Sequence, residues 1–466
     1  MRLRIITTLA GLLLLQACAT RPAYKRPAVS TPPVFRGTAE TGSTSLGELK
    51  WFDVFKDEQL QDLIRTAHTR NYDVRDAVAR IEAANANLGI RRSELYPTAG
   101  FSGDATTLRF SRGGNFPVPE GFSQRRTFGT VTLNMLSFEA DVWGRLRSAT
   151  EAARAELLAA EENRNAIVMT LVSDVATAYF NLLELDAELA LSKQTLLTRE
   201  ESLRLIKIRN QRGLATVLDV REGEQLVHTA VVAIPTIEQQ IEQTENYISM
   251  LLGQRPGSIP RGSSLDAQAM PVEVPTGLPS TLLERRPDIR AAERNLEAAH
   301  ATISVARAAY FPRISLTGFL GSQSNELTSL FTGPTGVWQF VPQVSQPIFT
   351  GGRLRSNVEF AQAQQQRALV QYERVIQSAF REVSDALVAY RKARQIRAEQ
   401  QLLVATLQDR ARLSYMRYRR GVDPLLNALD ADRDLYDAQL RLTQSKRNEL
   451  QAVVQLYRAL GGGWQQ

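Results

Sequence analysis

The side chains able to do covalent or metal chemistry are few and scattered. Three histidines, His68, His228 and His300, sit in helical, polar contexts without the spacing that metal ligation needs. The run Asp430-Ala431-Asp432-Arg433-Asp434 has the beginnings of a calcium loop. However, Leu435 stands where such a loop needs glycine, and Arg441 where it needs its last glutamate. No nucleophile turn, phosphate-cradling glycine loop or paired-carboxylate setting is evident. The sequence therefore predicts no enzyme, no cofactor and no metal.

The one chemical modification it does predict is at Cys18, the only cysteine and so unable to form an internal disulfide. Arg2 and Arg4 precede an apolar run from Ile5 to Leu15, too short for the roughly 20 residues a bilayer-spanning helix needs. Residues 1–17 read as a secretory signal peptide. Leu15-Gln16-Ala17-Cys18 resembles a bacterial lipobox, which would leave Cys18 lipidated at the head of an extended segment, residues 18–50. The net charge of +7 is spread among acids instead of gathered in a patch, which argues against nucleic acid. An apolar fraction of 43% suits a folded chain.

The elements that must position any site come twice. Gly-Arg-Leu-Arg-Ser occurs at 144–148 and again 208 positions later at 352–356. At the same offset Arg212-Gly213 matches Arg420-Gly421, Leu218 matches Leu426, and Leu252-Gly253 matches Leu460-Gly461. Upstream the offset is 215: Asp73-Val74-Arg75 matches Asp288-Ile289-Arg290, and Pro97 matches Pro312. One repeat spans 51–253 and the other 278–466, joined by a linker at 254–277. Each begins with helices, ending near Leu95 in the first copy and Tyr310 in the second. Each continues with a hairpin, about 98–140 and 313–348, where Val131, Leu133 and Met135, or Ile314 and Leu316, alternate with polar residues. A helix without glycine or proline then runs from about Ser148 to Arg212, for about 90–100 Å. Ile167, Leu171, Val175, Ala178, Leu182, Leu185 and Leu189 form its packing seam, as do Tyr372, Ile376, Ala379, Val383, Ala386 and Tyr390 in the second copy. A returning helix, kinked at Pro235, ends at Leu252.

Two hairpins give four strands, too few to close a barrel around a pore. An open edge is intolerable in lipid, so strands that enter a membrane must be closed by other copies. The alternative is a small sheet laid on the helices of a soluble protein, and alternation alone does not separate the two.

The stretches LPSTLLERRPDIRAAE (278–293), WFDVFKDEQLQDLIRTA (51–67), LLGQRPG (251–257), YRALGGGW (457–464) and PAYKRP (22–27) are similar to those of the TolC-like outer-membrane efflux factors, in their NodT-type lipoprotein branch. The resemblance covers essentially all of the chain after the signal peptide. It implies a mostly α fold with a small transmembrane β part: a homotrimer with four strands per protomer, forming one 12-stranded barrel continued by a long periplasmic α-helical barrel. It implies a passive exit duct in the outer membrane, coupled to a periplasmic adaptor and an RND-type inner-membrane transporter. It also implies that the turns 212–222 and 420–430 form the periplasmic tip. There Arg212, Gly213, Leu214, Arg420, Gly421 and Val422 match adaptor-docking tips, and Asp430, Asn427 and Tyr418 match gate positions. Asn427 departs from the acidic pattern, and Asp423 stands where some members have a gate arginine. Asp219 and Glu222 are the first-copy equivalents by the repeat. Asp219 and Asp430 also read simply as acids favoured near a helix N-terminus. A periplasmic adaptor lipoprotein is the main rival, but it is expected to have one helical hairpin flanked by β-domains, not two equivalent units.

Overall fold

The computed structural model describes residues 24–29, 31–32, 34–35, 45–111, 113, 119–268 and 279–465. The signal peptide, Cys18 and residues 269–277 of the linker lie outside the described residues. Among these, α1 (Trp51–Val54), α2 (Glu58–Arg70) and α3 (Tyr72–Ser93) lead to strands β1 (Ala99–Arg109) and β2 (Arg125–Glu139). Helices α4 (Arg145–Gln211) and α5 (Val217–Leu251) follow. The order then recurs as α6 (Leu282–Arg285), α7 (Pro287–Ala308), β3 (Arg313–Ser324), β4 (Gly336–Ser345), α8 (Arg353–Arg419) and α9 (Leu425–Ala459). Helices α4 and α8 each have 67 residues, and α5 and α9 each have 35. At 1.5 Å per residue the longer pair reach about 100 Å. Helix α5 runs unbroken through Pro235.

Two compact units draw on both repeats. The first takes residues 81–160 and 292–372 and contains the sheet. Its order is β1-β2-β3-β4, all antiparallel, so the two hairpins join through β2 and β3. Gly321 permits that join: a Cβ there would lie 2.0 Å from the Val131 carbonyl oxygen. Strands β1 and β4 each pair on one side only. Large apolar side chains on the sheet stay uncovered in a single chain, with Phe101 76% and Trp338 80% exposed.

The second unit takes residues 29–80, 161–291 and 373–466. The α4 seam is buried from Leu171 through Leu185, with Ile167 and Leu189 half-buried, and the second-copy seam is buried throughout. One window of α4 is apolar enough to cross a bilayer, but 67% of it is buried within the chain, so that face is used for packing. Ion pairs Lys193–Glu238 and Lys207–Glu224 run antiparallel between α4 and α5, and Arg397–Glu449 and Arg410–Asp434 do the same between α8 and α9. In the ERRPDIR stretch Arg286 is buried, held by Asp288, Glu382 and the Ala459 carbonyl. That arginine is a structural clamp.

Candidate gate at the paired helix turns

The repeat-related turns meet at one end of the second unit. Leu425, Ala428 and Leu429, at i, i+3 and i+4 on α9, bury against Ile206 of α4. Val220 and Leu226 of α5 and Tyr415 and Tyr418 of α8 pack around this core. Both long helices end in the same way. Gly213 and Gly421 take φ of 72° and 75°, and the next amide, of Leu214 or Val422, donates back to the Arg209 or Arg417 carbonyl. This is the left-handed helix end that glycine allows without steric cost.

Beyond the glycines the two turns differ. In the first, Thr216 and Asp219 form a reciprocal cap: the Asp219 amide donates to the Thr216 hydroxyl at 3.1 Å, and the Thr216 amide donates to the Asp219 carboxylate at 2.7 Å. Asn210 adds a bond to the Ala215 carbonyl at 2.8 Å. The second turn has Pro424 at the cap and no side-chain cap bond. It is fastened instead by Arg417, which grips Asp423 with bonds of 2.6 and 3.1 Å and holds that carboxyl below the usual carboxylate range. Asn427 occupies the position equivalent to Asp219, and proline offers it no hydroxyl to reciprocate.

Asp219 is thus engaged as the cap of α5, one of the two readings left open by the sequence. Glu222 lies one turn further along α5, half-buried. Asn427 is exposed, and Asp430 is half-buried 3.2 Å from Arg433. Tyr418 stacks beneath the Arg209 guanidinium at 4.6 Å, and its buried hydroxyl has no partner among the described residues. Burial pushes that phenol upward, against the nearby Arg209 charge. Arg212 and Arg420 are exposed, as are Leu214 (68%) and Val422 (59%). The Asp430–Asp434 acids are held by arginines instead of converging on one point: Asp430 meets Arg433, Asp432 meets Arg199, and Asp434 meets Arg410 and, at 3.5 Å, Arg433 as well.

Sequence reasoning missed Arg199. Its side chain is 4% exposed, pairs with Asp432 at 2.9 Å, donates to the Leu226 carbonyl at 3.1 Å and covers the Tyr436 ring at 5.0 Å. It thereby joins α4, α5 and α9. Arg209 and Arg417 were also missed, although they sit at equivalent repeat positions and could have been found by extending the 208-residue offset.

A four-stranded sheet with both outer edges unpaired, together with two hairpins of very long helices, defines a class: outer-membrane channels in which a β-barrel continues into a helical barrel. A profile of outer membrane efflux proteins matches residues 63–254 and 278–462. The toluene efflux pump outer membrane protein TtgF of Pseudomonas putida is 39% identical over 461 residues, covering 97% of this chain and 95% of the relative. The outer membrane protein OprJ of Pseudomonas aeruginosa is 36% identical over 468 residues, covering 98% and 96%. The open-state crystal structure of the Neisseria gonorrhoeae MtrE outer membrane channel superposes with a TM-score of 0.87 at 34% identity, covering 95% of this chain and 98% of that one. The chain belongs to the outer membrane efflux protein family, a family of channels and not of enzymes. It is an outer-membrane efflux channel with its helical part in the periplasm.

Proposed function

We propose that three copies of this chain form the passive exit duct of a tripartite pump, with the paired turns as both its gate and its docking tip. The observation that carries the reading is the sheet whose outer strands, β1 and β4, each keep one unpaired edge. Three copies joined β4 to β1 complete one 12-stranded wall and leave no edge in the lipid. Cys18, lipidated, anchors the N-terminal segment to the same membrane. The exposed Arg212-Gly213-Leu214 and Arg420-Gly421-Val422 turns receive the periplasmic adaptor, which links the duct to an RND-type transporter. The duct itself performs no catalysis, and substrate choice rests with the transporter.

Asp430 is the gate carboxylate, with Asn427, Tyr418 and Glu222 lining the same end. Carboxylates about 10 Å apart around a three-fold axis repel by only about 0.4 kcal/mol per pair in water, and several-fold more in a narrow protein mouth. Arg433, 3.2 Å from Asp430, offsets part of this. Asp219 serves chiefly as a helix cap, so its ring is secondary. Heat-resistant oligomers on a gel and single-channel recordings in planar bilayers test the whole reading. Asp430→Ala is expected to raise conductance and weaken cation preference, and unchanged current and selectivity would remove Asp430 from the gate.

A further inference from the structure

The two repeats differ sharply where the sheet gives way to the long helices. In the first, Glu139 holds Arg145 at 2.8 Å and Arg313 at 2.6 Å, while Asp141 accepts from the Leu146 and Arg147 amides and pairs with Arg147 at 3.1 Å. These acids neutralise the arginines at the start of α4, where a cation is otherwise unfavourable. In the second repeat the equivalent positions, 208 residues on, are Pro347 and Phe349. The arginines are retained and the acids are not. Arg353 makes no ion pair among the described residues. Arg355 has one ion pair among the described residues, to Glu359, from a side chain 81% exposed. Beside them Ile348 is 97% exposed and Phe349 92% exposed.

Nothing in the packing of the chain accounts for this exchange. In a single chain two large apolar side chains are uncovered next to two under-neutralised arginines, a few residues past the end of β4 at Ser345. Around the same junction, Trp143 and Phe311 stack at 4.8 Å, and Arg353, Leu354 and Pro347 help line a hollow of about 360 Å³. Aromatic and apolar groups beside arginines are the composition that fits the headgroup layer of a bilayer, with rings at the acyl boundary and guanidinium groups on phosphates.

We infer that Ile348-Phe349 with Arg353 and Arg355 is a membrane-interface contact that holds the headgroups of anionic phospholipids at the base of the barrel. The inference rests on the strands lying in the membrane, because only then does the end of β4 fall at a lipid surface. The chemistry is specific: an anionic phosphate ester for the two arginines, and acyl chain for the Ile348-Phe349 pair. A zwitterionic headgroup satisfies the second requirement and only partly the first.

The test uses the assembled, full-length protein reconstituted in vesicles of phosphatidylglycerol and phosphatidylcholine, with a benzophenone amino acid in place of Phe349. Irradiation is expected to give a phospholipid adduct, read as a mass increase on the single subunit. A crosslinked dimer would show that a second copy covers the patch, and absence of any adduct would show that it faces water; either result overturns the inference. Retained lipid, counted by native mass spectrometry, supplies the second arm. Arg353→Gln and Arg355→Gln are each expected to lower the preference for phosphatidylglycerol about fivefold. An unchanged preference in the double variant also overturns it. Bilayer current recorded from the same samples separates this failure from failure of the channel reading.

Discussion

Removing the charge of Arg199 should loosen the gate end from within one chain. Arg199→Met keeps most of the aliphatic stem but deletes the ion pair to Asp432, the bond to the Leu226 carbonyl and the charge over Tyr436. Asp432, whose side chain is 15% exposed, is left without its cation. Breaking a buried pair from one side costs about 3–5 kcal/mol, because the remaining charge is uncompensated. One guanidinium nitrogen of Arg199 is buried without a partner, so the native network is incompletely satisfied. An apolar replacement of both partners, Arg199→Met with Asp432→Leu, should therefore recover to within about 1 kcal/mol of the native protein. Hydrogen exchange over residues 425–440 of the assembled protein measures the opening of this region locally. The single variant should lose protection roughly a hundredfold to several thousandfold, and the double variant should regain most of it. Protection within about fivefold of native in the single variant would refute the reasoning. So would a double variant as loose as the single, since uncompensated burial would then not be the cause.

Three other outcomes are expected. Burial pushes the Glu184 carboxyl up to about 7, against the pull of Arg447 and with Glu188 adding to the rise. The folded chain thus holds a proton that the unfolded chain has lost between about pH 4.5 and 7, so stability falls as pH rises through that window, by up to about 3 kcal/mol. Melting of native protein and Glu184→Gln at pH 5 and pH 8 checks this: the variant should lose most of the pH-dependent difference, and equal slopes would count against it. Gly321→Ala places a Cβ 2.0 Å from the Val131 carbonyl oxygen and should abolish heat-resistant oligomers by separating β2 from β3. Tyr418→Phe deletes a hydroxyl that has no partner among the described residues and should leave melting within about 0.5 kcal/mol of native. Any change in its channel current would then report contacts made by that hydroxyl in the assembly.

The large elements were legible because their causes are local and repeated. The stretch between Gly144 and Gly213 holds no glycine or proline and can hardly be other than one long helix, which takes 67 of its residues, and the second copy says the same. Helix ends were legible to within a few residues: α3 stops at Ser93, short of Leu95, because the chain is already turning toward Pro97. The joining of β2 to β3 was not legible. It is set by register across nearly two hundred residues and by the missing side chain of Gly321, not by either hairpin alone. At the gate, the glycine turns and the Thr216–Asp219 spacing carry their own local signatures. Arg199 does not, because a single arginine on a polar stretch reads as solvated until the helix carrying Asp432 is laid beside it, 233 positions on.

The asymmetry between the turns bears on how such a gate could move. The first turn is sealed by bonds within ten consecutive residues, Asn210 to Asp219, so it should persist through any rearrangement of helices. Arg410–Asp434 and Arg397–Glu449 join α8 to α9 and would travel with that hairpin. What joins the second hairpin to the first at this end is different in kind: the apolar cluster around Leu429, the Arg209–Tyr418 stack, the buried Arg199–Asp432 pair and the buried Ser192–Tyr436 hydrogen bond at 2.8 Å. Apolar contacts tolerate sliding, since their energy depends on area and not on direction. The stack, the ion pair and the hydrogen bond do not, because each needs one geometry. Rotation of the second hairpin therefore meets directional resistance within the chain at Arg199, Arg209 and Ser192, all of the first repeat. The Arg417–Asp423 clamp is carried along with the moving turn and offers none.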